Sequence, residues 1–171
     1  GRAAYLDGGL PKWAAEKREI SKEASIFEST DHEFVIVPDI LVDIEWLTAN
    51  YENSGIAIID ARPSEEFIGL AGHWDRLGHV PGAGNMPFFG LLSEDPSYML
   101  KSKKELSKMF AEAGVNPGDT VVVYCGTGLW ASLPYLAARH LDYEVRLYDG
   151  SFQEWSSAKS LPIATKDNND D

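Results

Sequence analysis

The sequence is poor in the groups that cross-link small domains, because it contains one cysteine, Cys125, among 171 residues. A single cysteine excludes an internal disulfide and a cysteine-based zinc site. No apolar run is long enough to cross a bilayer. Basic residues are also scarce, 15 against 27 acidic ones, which gives a net charge of −12. That charge argues against nucleic acid or an anionic membrane as a partner, and no pattern in the chain calls for a metal or a cofactor.

What is present is ordinary for a globular protein, with 44% hydrophobic and 25% charged residues. The length corresponds to one domain, or to one domain and a piece of another. A chain of this size buries enough surface to fold without cross-links. We therefore expect a soluble protein; its compartment, cytoplasmic or periplasmic, stays open.

The single cysteine lies in a distinctive local pattern. It follows a short apolar run, 121–124, that is typical of a buried strand, and it precedes a glycine-rich turn and a segment with helical spacing, 131–141. A strand that delivers a thiol through such a turn to a helix N-terminus forms an anion site, because free N–H groups and the helix dipole both favour negative charge. The thiolate is the nucleophilic form of cysteine. A reactive nucleophile and a buried structural cysteine are both compatible with this pattern alone.

Two segments of the chain resemble each other, 6–13 near the start and 148–155 near the end. Each places an Asp-Gly pair after a short apolar stretch and a tryptophan, Trp13 or Trp155, a few residues later. Asp-Gly is typical of a turn. Because the second copy closes a domain, we interpret the first as the close of an earlier one. We expect a domain tail, an interdomain linker, a complete domain and an acidic tail, at residues 1–16, 17–38, 39–162 and 163–171.

Strands and helices alternate from residue 39 onward. Asp43 is placed to cap a helix, the run 56–59 predicts a buried strand, and Ser102 with Glu105 forms a capping box that opens another helix. This alternation predicts an α/β fold with a mostly parallel central sheet and helices on both faces. Ligands of such sheets bind at the carboxyl ends of the strands, where Cys125 is expected.

Three stretches together resemble the rhodanese sulfurtransferases: 58–69 with 78–87, the cysteine loop 125–128, and 148–155. The resemblance extends from about residue 39 to residue 162, in the family's order and spacing. The opening residues 6–10 are similar to the end of the inactive N-terminal domain of the tandem members. The resemblance implies a rhodanese-like fold and the catalytic half of a thiosulfate or 3-mercaptopyruvate sulfurtransferase. It also implies an N-terminal rhodanese-like domain as a partner.

The resemblance implies that Cys125 carries sulfur, as a persulfide, from thiosulfate or a related small anionic donor to cyanide or a thiol. Gly126 and Gly128 let the backbone fold round the sulfur, and the N–H groups of the loop stabilise its charged states. Thr127 offers a hydroxyl that either binds the donor or caps the turn. The related dual-specificity phosphatases carry an arginine six residues after the cysteine, where this chain has Ala131, so phosphoryl transfer is disfavoured.

The residues leave the donor open. Cys-Gly-Thr-Gly is similar to the Cys-Gly-Ser-Gly of mercaptopyruvate enzymes, but Leu129 and Trp130 depart from the residues that usually follow. Trp130 either narrows the mouth of the site or packs beneath it. Glu66 stands where the family has an arginine and would repel an anionic donor. Arg76 is then the nearest candidate to bind that donor, the alternative being a solvated surface arginine.

The remaining residues near the site are expected to be structural. Asp60 and Arg62 are spaced to form a buried ion pair at a strand end, and His79 is expected to order the Pro-Gly turn that follows it. His73 and Trp74 lie in a loop near the site. Two other functions remain open, a persulfide carrier fed by a partner protein and a non-catalytic rhodanese-like binding module. The presence of Cys125 favours an enzyme over the binding module.

Overall fold

A computed structural model describes residues 4–29, 31, 37, 39–94 and 97–165. The apolar residues 34–36 and most of the acidic tail, 166–171, lie outside this part of the chain. The described residues form a five-stranded sheet in which every strand pair is parallel. In spatial order the strands are β1 (Leu41–Val42), β5 (Glu144–Tyr148), β4 (Thr120–Tyr124), β2 (Ile56–Asp60) and β3 (Gly84–Asn85). The mostly parallel sheet that the sequence predicts is confirmed.

Helices precede, connect and follow these strands. They are α1 (Gly9–Ala15), α2 (Ile44–Asn50), α3 (Ser64–Phe67), α4 (Lys103–Glu112), α5 (Ser132–His140) and α6 (Ser151–Ser157), with a 3₁₀ turn at Phe88–Leu91. The predicted caps are present: Asp43 Oδ1 accepts a hydrogen bond from Trp46 N at 2.8 Å, and Ser102 and Glu105 form a reciprocal capping box. In the part of the chain described, no helix combines the length and apolarity needed to span a membrane.

The alternating residues of the central strand β4 fill two separate cores. Val121 and Val123 lie in one cluster with Phe110 of α4 and with residues of α5. Val122 and Tyr124 lie in the other, with residues of α2 and α6. Burial on both faces explains why β4 is a continuous apolar run rather than an alternating one. The layered α/β fold expected from the sequence is therefore present, and it places the loop after β4 at the carboxyl edge of the sheet.

The N-terminal segment lies outside this sheet. Residues 4–8 belong to no helix or strand, and just before α1 they contact the flank of the domain, where Asp7 Oδ1 accepts a hydrogen bond from Leu100 N at 2.8 Å. The sequence echo extends to the structure, since α1 and α6 are both seven-residue helices. The indole N–H of Trp13 donates to the carbonyl of Glu19, and that of Trp155 to the carbonyl of Pro162, both at 2.8 Å.

The C-terminal boundary of the domain lies beyond the expected residue 162. Ala164, which the sequence analysis assigns to the acidic tail, forms a two-bond antiparallel bridge with His79, with N···O distances of 2.8 and 3.0 Å. Its side chain is buried. The domain therefore continues at least to this residue, because an apolar side chain and two backbone hydrogen bonds are placed against the core.

Candidate active site

Cys125 is the first residue after β4, and only 1% of its surface is exposed. Its backbone is held by the start of α6. Cys125 N donates to Ser151 Oγ at 3.3 Å, and its carbonyl accepts from Phe152 N at 2.9 Å. Ser151 is itself fully buried and has a φ of +54°, a left-handed conformation that costs energy for a residue with a side chain. The Asp-Gly turn before α6 thus fixes the position of the thiol.

The loop between Cys125 and α5 leaves its N–H groups without partners. The backbone N–H groups of residues 126–131, all of them described, donate no hydrogen bond to any protein acceptor. Gly126, Gly128 and Ala131 among them are buried. Buried N–H groups are nearly always paired in folded proteins. Their accumulation around one thiol therefore provides donors for a negatively charged ligand.

The two glycines of the loop are required for different reasons. Gly128 has a φ of +87°, which favours glycine, and a side chain there would also meet Asp149. A Cβ atom on Gly126 would lie about 2.5 Å from the six-membered ring of Trp74, too close for any contact between carbon atoms. Trp74 therefore packs directly on the backbone of the cysteine loop.

A pocket of about 260 Å³ opens in front of the thiol. Eight residues line it: Glu66, His73, Trp74, Cys125, Gly126, Thr127, Leu129 and Trp130. The structure thus brings together Glu66 with most of the predicted loop, and it adds His73 and Trp74, which the sequence left as loop residues of no assigned role. Thr127 is exposed and its hydroxyl has no hydrogen-bond partner among the described residues, so it does not cap the turn.

Two tryptophans form walls of this pocket. The indole N–H of Trp74 donates to Glu66 Oε2 at 2.7 Å, and its ring meets Phe152 edge-on. Trp130 stacks on Phe88, with ring centroids 4.9 Å apart and planes 19° from parallel. Because Trp130 is 40% exposed and lines the cavity, it lies at the mouth rather than beneath the loop.

The expected ion pair between Asp60 and Arg62 is present behind this pocket. Both side chains are completely buried, and Arg62 NH2 lies 2.6 Å from Asp60 Oδ2. Burial opposes charge on Arg62, but its hydrogen bond with Asp60 outweighs that effect and raises its pKa, so the guanidinium stays charged. It also donates to the carbonyl of Gly78 at 2.7 Å, which fixes the following loop to the sheet.

Burial also opposes charge on Tyr124, which ends β4 next to the thiol, and here no stronger effect outweighs it. It raises the pKa of this phenol well above the ordinary value, mainly by desolvation and further by the charge of Asp60. The phenol oxygen accepts a hydrogen bond from Val80 N at 3.1 Å. Tyr124 is therefore a neutral packing group and supplies no negative charge to the site.

Arg76 does not take the place that the sequence analysis gave it. It is absent from the pocket lining, and its guanidinium donates to four backbone carbonyls, those of Trp155, Ser156, Ala158 and Leu161, at 2.7–3.0 Å. Arg76 is thus neither a donor-binding residue in this structure nor a solvated surface arginine. It satisfies two of the last carbonyls of α6, which have no partner inside the helix, and two more just beyond the end of that helix.

His79 also orders a different segment from the one expected. Its Nδ1 lies 2.7 Å from the carbonyl oxygen of Phe67, and the two rings stack with centroids 3.7 Å apart. The histidine therefore holds the end of α3 instead of the Pro-Gly turn beside it. Within the described ranges, no group of three or more His, Cys, Asp or Glu side chains is arranged to hold a metal ion.

Sequence reasoning missed the roles of Ser151 and Phe88. The left-handed Ser151 follows an Asp-Gly pair, and that turn signal was visible, but its contact with Cys125 links residues 26 positions apart. Phe88 stacks on Trp130 from a short 3₁₀ turn that has no clear sequence period. Only the tertiary arrangement brings these side chains to the site.

Comparison with known proteins agrees with this geometry. Residues 43–158 match the family described as the rhodanese-like domain. The chain is 34% identical over 169 residues to 3-mercaptopyruvate sulfurtransferase of Escherichia coli strain K12, covering 95% of this chain and 58% of that protein. It is 30% identical over 163 residues to thiosulfate sulfurtransferase of Azotobacter vinelandii, covering 95% and 59%. The chain thus spans somewhat more than half the length of these relatives.

Among solved structures, the fold is similar to that of an anaerobic ergothioneine biosynthesis enzyme from Chlorobium limicola, in complex with trimethyl histidine. The TM-score is 0.82 at 24% identity, and the match covers 94% of this chain and 40% of that one. At 24% identity, this similarity shows a shared fold and no more.

Proposed function

This chain belongs to the rhodanese-like domain family, and on that premise we propose that it is a sulfurtransferase that carries sulfane sulfur as a persulfide on Cys125. One observation carries the proposal. The buried thiol lies at the base of a loop whose N–H groups, from residue 126 to residue 131, are unpaired. Such donors stabilise a thiolate, a persulfide anion and the charged transition states between them.

The reaction consists of two half-reactions, and in each of them one bond to sulfur forms as another breaks. The thiolate of Cys125 attacks the outer sulfur of thiosulfate, a new S–S bond forms, and sulfite leaves with the electron pair of the broken S–S bond. An acceptor nucleophile, a thiolate or cyanide, then attacks the outer sulfur of the persulfide, and the cysteine thiolate leaves. The resting enzyme is regenerated without an external oxidant or reductant.

We propose thiosulfate as the donor, with 3-mercaptopyruvate as the alternative. The unpaired N–H groups of the loop support either anion, and relatives of both names are about equally similar to the chain. Glu66 in the pocket and the absence of any lysine or arginine from its lining oppose a doubly charged donor. We therefore expect thiosulfate to bind weakly, with a rate that rises nearly linearly with its concentration.

Mass spectrometry of the intact protein tests the mechanism. After incubation with thiosulfate the protein should gain the mass of one sulfur atom, and cyanide should then remove it. Cys125→Ser should abolish the mass gain, because a hydroxyl is rarely ionised and an oxygen holds no stable sulfane adduct. Because Cys125 is the only thiol, no second site can take its place.

The control is Ser107→Ala, which changes an exposed hydroxyl of α4 that lies outside the pocket and should leave loading intact. A mass gain in the Cys125→Ser protein would contradict the persulfide mechanism. A wild-type protein that no small donor loads, but that a persulfide-bearing protein does load, would favour the partner-fed carrier. Failure with every donor would favour the binding module.

We also propose that residues 1–16 close an N-terminal rhodanese-like domain and that residues 17–38 link it to the catalytic one. Two features support this: the matched seven-residue helices α1 and α6, and the equivalent hydrogen bonds of Trp13 and Trp155. The lengths of the relatives are also consistent with a second domain.

A further inference from the structure

The lining of the pocket has an unusual charge. Of its eight residues, Glu66 is the one carboxylate, and no lysine or arginine is among them. A site that binds anions through side chains normally presents a guanidinium or an ammonium group. In this pocket only the N–H groups of the cysteine loop can bind an anion. The walls further from the thiol, which include Glu66, favour a cation instead.

The buried Arg62 does not cancel this negative charge. It lies between two carboxylates, since its NH2 contacts Asp60 at 2.6 Å and its NH1 lies 3.8 Å from Glu66 Oε2. Because one cation faces two anions, the group carries a net charge of minus one. Arg62 has no exposed surface, whereas Glu66 is 16% exposed and lines the cavity. The charge that a ligand meets is therefore that of Glu66.

The carboxylate of Glu66 is held in place through one of its two oxygens, which leaves the other available to a ligand. Its Oε2 accepts the indole N–H of Trp74, but its Oε1 has no hydrogen-bond partner among the described residues. A carboxylate oxygen that is fixed at a pocket wall and unpaired is an acceptor for a charged N–H donor.

The aromatic walls of the pocket also favour a positively charged ligand. Trp74 and Trp130 both line the cavity, and the electron-rich face of an indole attracts cations. Trp130 is supported on one side by Phe88. Two indoles, a carboxylate and the absence of lysine and arginine from the lining constitute a site for a positively charged group close to the thiol.

From this arrangement, and resting on the proposed function, we infer that the physiological sulfur acceptor of Cys125 is a small cationic thiol, with its positive group between Glu66 and the two tryptophans. Its thiolate forms a bond with the outer sulfur of the persulfide, and the bond to Cys125 breaks as the cysteine thiolate leaves. The reacting sulfur of the acceptor approaches the outer sulfur of the persulfide, while its ammonium group contacts the pocket wall. The negative donor and the positive acceptor then use different parts of one cavity. The loop N–H groups serve the first, and Glu66 with the indoles serves the second.

A panel of three acceptors of similar size tests this inference: cysteamine, 2-mercaptoethanol and 3-mercaptopropionate, which carry a positive, a neutral and a negative group. The protein is first loaded with sulfur, and the loss of the added mass is followed with each thiol. We measure the ratio of the second-order rate constants for cysteamine and 3-mercaptopropionate. Comparing this ratio between variants cancels the intrinsic reactivity of the thiols.

Glu66→Gln removes the charge while its amide oxygen can still accept the Trp74 N–H. The ratio should fall at least about five-fold, because the attraction to one acceptor and the repulsion of the other are both lost. Trp130→Leu should lower it about two- to five-fold through the lost indole face. The matched control is Glu65→Gln, which makes the same charge change at an exposed neighbour outside the pocket and should leave the ratio unchanged. Equal falls in both Gln variants, or no fall in either, would overturn the inference.

Binding to the sulfur-free protein separates this inference from the proposed function. Two non-reacting thioethers, 2-(methylthio)ethylamine and 3-(methylthio)propionate, are titrated into the wild type and into Glu66→Gln while backbone amide NMR shifts are recorded. The cationic thioether should bind more tightly and should lose that advantage in the variant. If this holds while no persulfide forms, the pocket assignment stands and the proposed function fails. If loading succeeds but the anionic thioether binds as well as the cationic one, the acceptor class is wrong and the sulfurtransferase stands.

Discussion

His79 illustrates at the residue scale how burial shapes stability. The side chain has no exposed surface, and burial lowers its pKa below the usual value, against the opposing effect of the Phe67 carbonyl. Burial therefore favours the neutral form of this ring in the folded protein. In the unfolded chain it titrates near the ordinary value of about 6.5.

Stability should consequently fall when the pH drops below that value. Between the two pKa values the unfolded state binds more protons than the folded one, so the contribution of His79 is complete above about pH 6.5 and is lost as the pH falls further. Urea unfolding at pH 7.5 and pH 5.5 should give a lower midpoint at the acidic pH. His79→Gln should lower both midpoints but narrow the difference between them. An unchanged difference would assign the pH dependence to other groups.

At the scale of elements, the short helix α6 is held at both ends by other parts of the chain. Its first turn donates N–H groups to the carbonyls of Cys125 and Gly126. Its last carbonyls, with those just after it, accept from Arg76. A seven-residue helix is too short to be stable alone. These contacts connect its position to that of the thiol.

Arg76→Met should therefore destabilise the protein by about 2–3 kcal/mol, because charged hydrogen bonds to several carbonyls are lost together. Thermal or urea unfolding measures this change. Sulfur loading at a temperature where the variant is folded should stay close to wild type, since Arg76 lies outside the pocket. Arg139→Met, at an exposed arginine of α5, should cost less than about 0.5 kcal/mol. If the Arg76 variant is stable but no longer takes up sulfur from thiosulfate, Arg76 binds the donor after all, as the sequence analysis expected.

At the scale of the whole molecule, the N-terminal segment contributes little to the described domain. Leu6 and Leu10 are 57% and 63% exposed, and α1 has no buried residue. Among the described residues, one hydrogen bond joins this segment to the domain flank, that between Asp7 and Leu100, and it is worth about 1 kcal/mol.

A chain that begins at residue 38 should therefore fold and load sulfur like the longer one. Circular dichroism and intact mass measure the two properties. Asp7→Ala in the longer chain serves as the control and should cost at most about 1 kcal/mol. Loss of the folded state on truncation would contradict the proposal that residues 1–16 belong to another domain.

Most of the fold could be predicted from the sequence because local signals agree with the final structure. The apolar run of β4, the Asp43 cap and the Ser102–Glu105 box each specify an element by short-range chemistry. The cysteine loop was found for the same reason. Arg76 was misplaced because its partners lie about 80 residues away, and neither charge nor local pattern encodes a contact of that separation. Trp74 became part of the site only through its packing on Gly126.

The contact between Trp74 and Gly126 also limits how this pocket can diverge. A side chain at position 126 would occupy the space of the indole ring, and a smaller residue at position 74 would uncover the loop and release Glu66. A larger residue at 126 does not fit beside the indole, but a paired exchange, with a smaller residue at 74 and a larger one at 126, preserves the volume. The two positions are therefore expected to vary together, so that remodelling this wall of the pocket requires a double substitution.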